Sequence, residues 1–214
     1  MTAKWFAAFS FLLLAVHEAH ELAHAVTARI VCGGWPVRDF NAWAAPCDSW
    51  LSTAAGPLFS YALLLIGALL PNRAAGVALL FAANPFARIF TAAMGGGDEM
   101  VVAQRLLGFS ERTLSLRLLV LTFVTLVCGT AIVAGWQKMR DFPKRGVWFP
   151  VVLLWPMILT GVALFAIGNR LLRTGLLDQV GPGGAPLLVT MVSAAAAILA
   201  ILTSRWLTSR PAIA

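Results

Sequence analysis

Residues 17–26 read HEAHELAHAV and interrupt an apolar run that extends from Trp5 to Val31. All three histidines of the chain, together with Glu18 and Glu21, fall within the eight positions 17–24. Ionisable side chains inside a membrane are costly and are kept where they face a bundle interior, a watery cavity or one another. This segment therefore constrains the fold more than any other. Its helix has to be surrounded by further helices, with a polar stripe turned inward.

The rest of the chain supplies those helices. Of 214 residues, 60% are hydrophobic and 12% are charged, whereas soluble domains are ~45–50% apolar and ~25% charged. A spanning helix needs ~20 mostly apolar residues. Six segments meet that length, at about 5–31, 50–70, 74–94, 114–136, 148–168 and 184–206. Short polar or Gly/Pro-marked links separate them: PNR at 71–73, GGGDE at 95–99, QKMRDFPKR at 137–145 and GPGG at 181–184. The expected fold class is all-α, a polytopic cell-membrane protein with about six transmembrane helices. The run after Lys4 continues past the histidines with no clean cleavage site, so it reads as a retained helix rather than a signal peptide.

A net charge of +7 would suit nucleic acid in a soluble protein. In a membrane protein, Lys and Arg gather at helix ends, where they set topology and meet anionic lipid, so the lipid bilayer and not nucleic acid is the expected partner. With six spans, one side carries Lys4, Arg73, Lys138, Arg140, Lys144, Arg145, Arg205 and Arg210, and the dense group at 138–145 favours cytoplasmic termini. Trp43, Trp50, Trp136, Trp148 and Trp206 lie near expected span ends and read as interfacial anchors. Cys128 reads as a small core residue. Cys32 and Cys47 flank the first loop and either close it as a disulfide, on an oxidising side of the membrane, or stand as two unrelated thiols, which is the simpler reading.

At ~100° per residue, His17, His20, Glu21 and His24 share one stripe of the first helix, and Glu18 falls on its shoulder. Within the stripe, His20-Glu21-Leu22-Ala23-His24 is a His-Glu-x-x-His arrangement. Two histidines one turn apart can grip one metal ion, and the glutamate beside them can act on water at that ion. His17, outside the motif, is expected to support or line the site. A zinc site needs a further protein ligand, and with His17, the one other histidine, expected to support or line the site, that ligand has to be Asp, Glu or Cys. Most of the acidic residues lie in loops, near span ends or on the first helix itself. Asp98 and Glu99 remain, after three glycines that let the backbone approach another element closely. The alternative is a glycine-rich turn capped by acids. Arg88, inside the third span, needs a partner such as Glu18 or a substrate carboxyl, or else snorkels to the interface.

His20-Glu21-Leu22-Ala23-His24 on a first apolar helix, AAGPLFSY at 54–61, and Asn84-Pro85 with a later glycine-flanked Asp98 resemble the site-2 protease family of intramembrane zinc metalloproteases. The resemblance covers about residues 5–108. It implies a three-helix catalytic core over 1–108, with 109–214 adding three accessory helices. It also implies His20, His24 and Asp98 as zinc ligands, Glu21 as general base, Asn84 as a substrate or oxyanion contact, and a membrane-protein substrate. Asp98 rather than Glu99 matches the family's pattern, which leaves Glu99 at the mouth of the site or capping the segment that follows. Gly56-Pro57 is followed by Leu58-Phe59-Ser60, where the family often has Asn three residues on. The competing function is a metal-binding membrane protein or metal transporter, which would call for further ligands along a pathway.

Overall fold

The computed structural model describes residues 1–208, most of them helical. Among the described residues, six helical stretches are long and apolar enough to cross a membrane: Ala3–Cys32, Trp50–Leu69, Arg73–Ala93, Leu114–Lys138, Arg145–Arg173 and Leu187–Thr208. They coincide with the six expected spans, the fifth running several residues further at both ends. The chain is thus a multi-pass, all-α membrane protein. Arg210, one of the basic residues assigned to the side of the termini, lies outside the described residues.

Helix α1 (Ala3–Cys32) starts where Thr2 Oγ1 accepts the Trp5 amide at 3.1 Å. No glycine or proline interrupts its 30 residues, so at 1.5 Å per residue it is ~45 Å long, more than the ~30 Å hydrocarbon core. Helix α2 (Trp50–Leu69) is capped by Ser49 and carries Pro57 inside it. The third span is not one helix. α3 (Arg73–Ala82) stops before Asn84, whose backbone is left-handed (φ 53°, ψ 52°), and α4 (Pro85–Ala93) restarts on proline. A residue preceding proline is crowded out of the right-handed helical region, and Asn enters the left-handed region more readily than most residues.

Gly95 and Gly97, at φ 72° and 89°, then turn the chain into α5 (Asp98–Leu107). Those angles favour glycine because a Cβ would clash. Helix α6 (Leu114–Lys138) is followed by α7 (Arg145–Leu159), which continues through a π-helical stretch at Thr160–Gly168 into α8 (Asn169–Arg173). Helix α9 (Leu187–Thr208) packs against α1, which also contacts α2 and α3.

Trp5, Phe9 and Leu13 of α1 join Val77, Leu80 and Phe81 of α3, Val124 of α6 and Val152 of α7 in the main buried cluster. Arg73 pairs with Asp141, so the 71–73 and 137–145 links lie together, as an even-numbered topology requires. On the same side Lys138 Nζ donates to the Leu70 carbonyl at 2.8 Å and the Arg145 guanidinium lies 3.3 Å from the Trp136 ring centre.

The first loop forms a small antiparallel hairpin, β1 (Val37–Arg38) with β2 (Trp43–Ala44). Cys32 and Cys47 are joined as a disulfide across it, which corrects the reading as unrelated thiols; sequence spacing alone does not show that the two Cα atoms come within 5.5 Å. Arg38 Nη1 reaches Glu18 Oε2 at 3.4 Å, both residues buried, and the Ser193 hydroxyl donates to the same oxygen at 2.5 Å. His17 Nε2 donates to the Phe40 carbonyl at 3.0 Å, and Asn169 Nδ2 donates to Asn41 Oδ1 at 2.6 Å.

Closing a loop of ~15 residues contributes about 3 kcal/mol in the chain-entropy model. A Cys32→Ser, Cys47→Ser double variant is therefore expected to lose about 2–4 kcal/mol, read as a lower thermal midpoint in detergent. A midpoint identical to the parent's would mean that the other fastenings hold the hairpin alone.

Candidate metal centre

Three of the expected site residues meet at one point. His20 Nε2 and His24 Nε2 are 3.2 Å apart, and Asp98 Oδ2 lies 3.4 Å from the first and 3.3 Å from the second. Among the described residues, this is the group that brings three potential ligand atoms within 4.8 Å of one another. One helical turn separates the two histidines on α1. The Gly95–Gly97 turn delivers Asp98 as the first residue of α5, where a carboxylate also suits the positive end of the helix dipole.

The second nitrogen of each ring has a partner that orients it. His24 Nδ1 donates to the Ser52 carbonyl at 2.7 Å, leaving the Nε2 lone pair aimed at the cluster. His20 Nδ1 lies 3.0 Å from Ser60 Oγ and 3.0 Å from Arg88 Nη2. Such contacts to ring nitrogens away from a metal fix the tautomer and the ring plane. Burial by itself would raise the Asp98 carboxyl, but when the imidazoles carry a proton on Nε2, hydrogen bonds from His20 and His24 outweigh that and hold it below the ordinary carboxylate range.

On the α2 side the packing is tight. Helix α2 crosses α1 at Gly56, where an added Cβ would lie 2.2 Å from His24 Nε2 and 2.6 Å from His20 Cε1. The donor set of two neutral-capable imidazoles and a carboxylate fits zinc and leaves a coordination position open.

Glu21, buried beside the cluster, brings Oε1 to 4.0 Å from His20 Nε2 without joining the group of three. A cavity of about 620 Å³ opens here, with His17, His20, Glu21, Asn84, Arg88 and Asp98 in its wall. The Thr160–Gly168 stretch closes another side through Thr160, Gly161 and Phe165; π-helical turns frequently occur at functional sites. Asn84 is thus at the cavity, and its Oδ1 is buried without a hydrogen-bond partner among the described residues.

Several residues have partners that the sequence does not show. Trp43 stacks on His24, ring centres 4.7 Å apart and planes at 19°, so it roofs the cluster, a role its place near a span end does not announce. Glu99 is in the wall of the same cavity and in the first turn of α5, and it is tied down there. It accepts from Arg88 Nη1 at 2.5 Å and from the Tyr61 hydroxyl at 2.8 Å. Arg88 therefore pairs with Glu99, while Glu18 pairs with Arg38. Sequence reasoning misses Ser52 and Ser60, because a serine in an apolar helix carries no periodic signal.

Removing Asp98 tests the centre directly. With Asp98→Ala, two histidines remain and zinc occupancy of the purified protein is expected to fall sharply by elemental analysis. Full occupancy would take Asp98 out of the ligand set. Comparison of the chain with protein-family models, curated proteins and solved structures finds no match.

Proposed function

We propose that this protein is an intramembrane zinc endopeptidase of the site-2 protease type, hydrolysing peptide bonds in or near transmembrane segments of membrane proteins. The observation that carries the reading is the convergence of His20 Nε2, His24 Nε2 and Asp98 Oδ2 within 3.2–3.4 Å, beside buried Glu21 and a cavity among membrane-crossing helices. These three residues would hold the ion, which when bound supplies a Lewis acid that makes water a usable nucleophile near neutral pH. Glu21 would take a proton from the attacking water at its carboxylate and return it to the leaving amine, the two duties of a general base and acid. Asn84, with its unpartnered Oδ1 at the cavity, is suited to accept a backbone N–H of the substrate, and its amide nitrogen to face the developing oxyanion. Trp43 over His24 and the hairpin above it limit the water that reaches the reacting bond from that side.

The transporter reading asks for a chain of sites, and among the described residues a single group of three donors is found. The test is elemental analysis of the purified protein with cleavage of a panel of membrane-protein substrates, with and without chelator. Stoichiometric zinc and chelator-sensitive cleavage are the expected results. Bound zinc without cleavage of any substrate would favour the transporter, and absence of metal would end both readings.

A further inference from the structure

The side chains that support the cluster divide into two unequal sets. His24 is oriented by a backbone carbonyl, that of Ser52, and by the Trp43 ring. Neither His20 nor Asp98 has such a support of its own. What stands behind both is the buried Arg88–Glu99 pair. Arg88 Nη2 donates to Ser60 Oγ at 2.8 Å, and Ser60 Oγ is 3.0 Å from His20 Nδ1. Arg88 Nη1 donates to Glu99 Oε1, and Glu99 is bonded in the chain to Asp98.

Hydrogen-bond valence narrows what this arrangement does. Arginine has five donors and no acceptor, so Arg88 cannot receive the Nδ1 proton of His20. For Nε2 of His20 to keep a lone pair for a cation, its proton has to sit on Nδ1, and among the described residues Ser60 Oγ is the acceptor there. A serine oxygen has two lone pairs and takes both the imidazole and the guanidinium. On the other arm, residues 98 and 99 are about 100° apart around a helix. Fixing Glu99 on Arg88 and Tyr61 therefore turns Asp98 towards the histidines.

We infer that Arg88 is a positioning residue of the metal centre, setting His20 through Ser60 and Asp98 through Glu99. The inference rests on the metal reading above. A purely structural ion pair would join two elements and nothing more, whereas this one contacts the support of two ligands out of three.

The full-length protein in detergent, stripped of metal, is titrated with Co²⁺ and Zn²⁺ in competition with a chromophoric chelator. The visible spectrum of the Co²⁺ form is recorded as a signature of ligand geometry. Three variants are compared with the parent: Ser60→Ala, Arg88→Lys, and an Arg88→Met, Glu99→Met double variant. Removing both charges together avoids an unpaired buried ion, which alone could unfold the protein. Outer contacts to metal ligands typically change affinity 10–100-fold.

Ser60→Ala and the double variant are expected to elute and melt like the parent, bind both metals at least ~10-fold more weakly, and show altered Co²⁺ bands. Arg88→Lys, a single-point donor that cannot bridge Ser60 and Glu99, should fall between. Parent-like affinity and bands in the folded double variant would overturn the inference and leave the pair structural. Should that variant not fold, a Ser60→Ala protein with parent-like affinity and bands overturns it equally. A parent that binds neither metal, and does not differ from His20→Ala, overturns the metal reading and this inference with it.

Discussion

Replacing Glu21 by glutamine is expected to lower peptide-bond hydrolysis by ~10²–10⁴-fold, the usual contribution of a positioned general base, while leaving zinc in place. The amide keeps the shape and volume of the carboxylate but cannot accept a proton. Nothing in the geometry makes Glu21 a ligand. Its nearest oxygen is 4.0 Å from His20 Nε2, whereas Asp98 comes within 3.4 Å of both histidines. Two readouts therefore have to separate: cleavage of a membrane-protein substrate collapses, and elemental analysis does not change. Near-parental cleavage by Glu21→Gln would defeat the proposed mechanism. Loss of zinc together with cleavage would instead make Glu21 a ligand.

Gly56→Ala is expected to empty the centre altogether. The added methyl would stand 2.2 Å from His24 Nε2 and 2.6 Å from His20 Cε1 and His24 Cε1, against a floor of 3.0 Å that real Cβ contacts essentially never cross. The rings cannot swing clear cheaply, because Nδ1 of His24 is held by Ser52 and Trp43 lies on the other face. Either α2 withdraws from α1 or the imidazoles leave the donor positions, and in both cases the three ligand atoms separate. Zinc content should fall to background, and the thermal midpoint should fall as well, since overpacking typically costs about 1–3 kcal/mol. Gly129→Ala is the control. It lies in α6, and a methyl added there would meet nothing within 4 Å, so it should be neutral or gain up to about 1 kcal/mol from helix propensity. A Gly56→Ala protein with full zinc would show that α1 and α2 stand further apart than these distances require.

The six spans were legible because a bilayer demands length and apolarity, and both are local properties. The His20, Glu21 and His24 stripe was legible for a similar reason: the helical repeat places those residues together whatever surrounds them. Asp98 is 74 positions beyond His24, and elimination among the acidic residues reduces the third donor to Asp98 or Glu99 without choosing. Its placement depends on how the Gly95–Gly97 turn enters α5, a matter of backbone angles at three residues. The partners of Arg88 and Glu18 were not legible, since sequence neighbours give no guide to pairs formed across helices. Trp43 escapes a sequence reading because its distance from a span end says where it lies along the membrane normal and nothing about the ring it covers. The break at Asn84-Pro85 was visible as a motif, but the left-handed backbone that makes it a break is a three-dimensional fact.

The buried Glu18, Arg38 and Ser193 contact bears on how the protein is made. Every partner described for the polar stripe of α1 is synthesised after it: Arg38 and Phe40 shortly afterwards, Ser52, Ser60 and Asp98 later, and Ser193 only with α9. When α1 leaves the ribosome, its two glutamates and three histidines lack all of these counterparts, and a charged residue at the centre of a span costs ~2.5–3.5 kcal/mol on insertion scales. Its mean hydropathy of 1.3 is the lowest of the six spans, against 2.2–2.4 for the last three. The longest of the described helices is thus also the least apolar of the six spans. A nascent chain truncated before α2 should slip from the membrane or wait beside the insertion machinery, and only arrival of the later helices commits it.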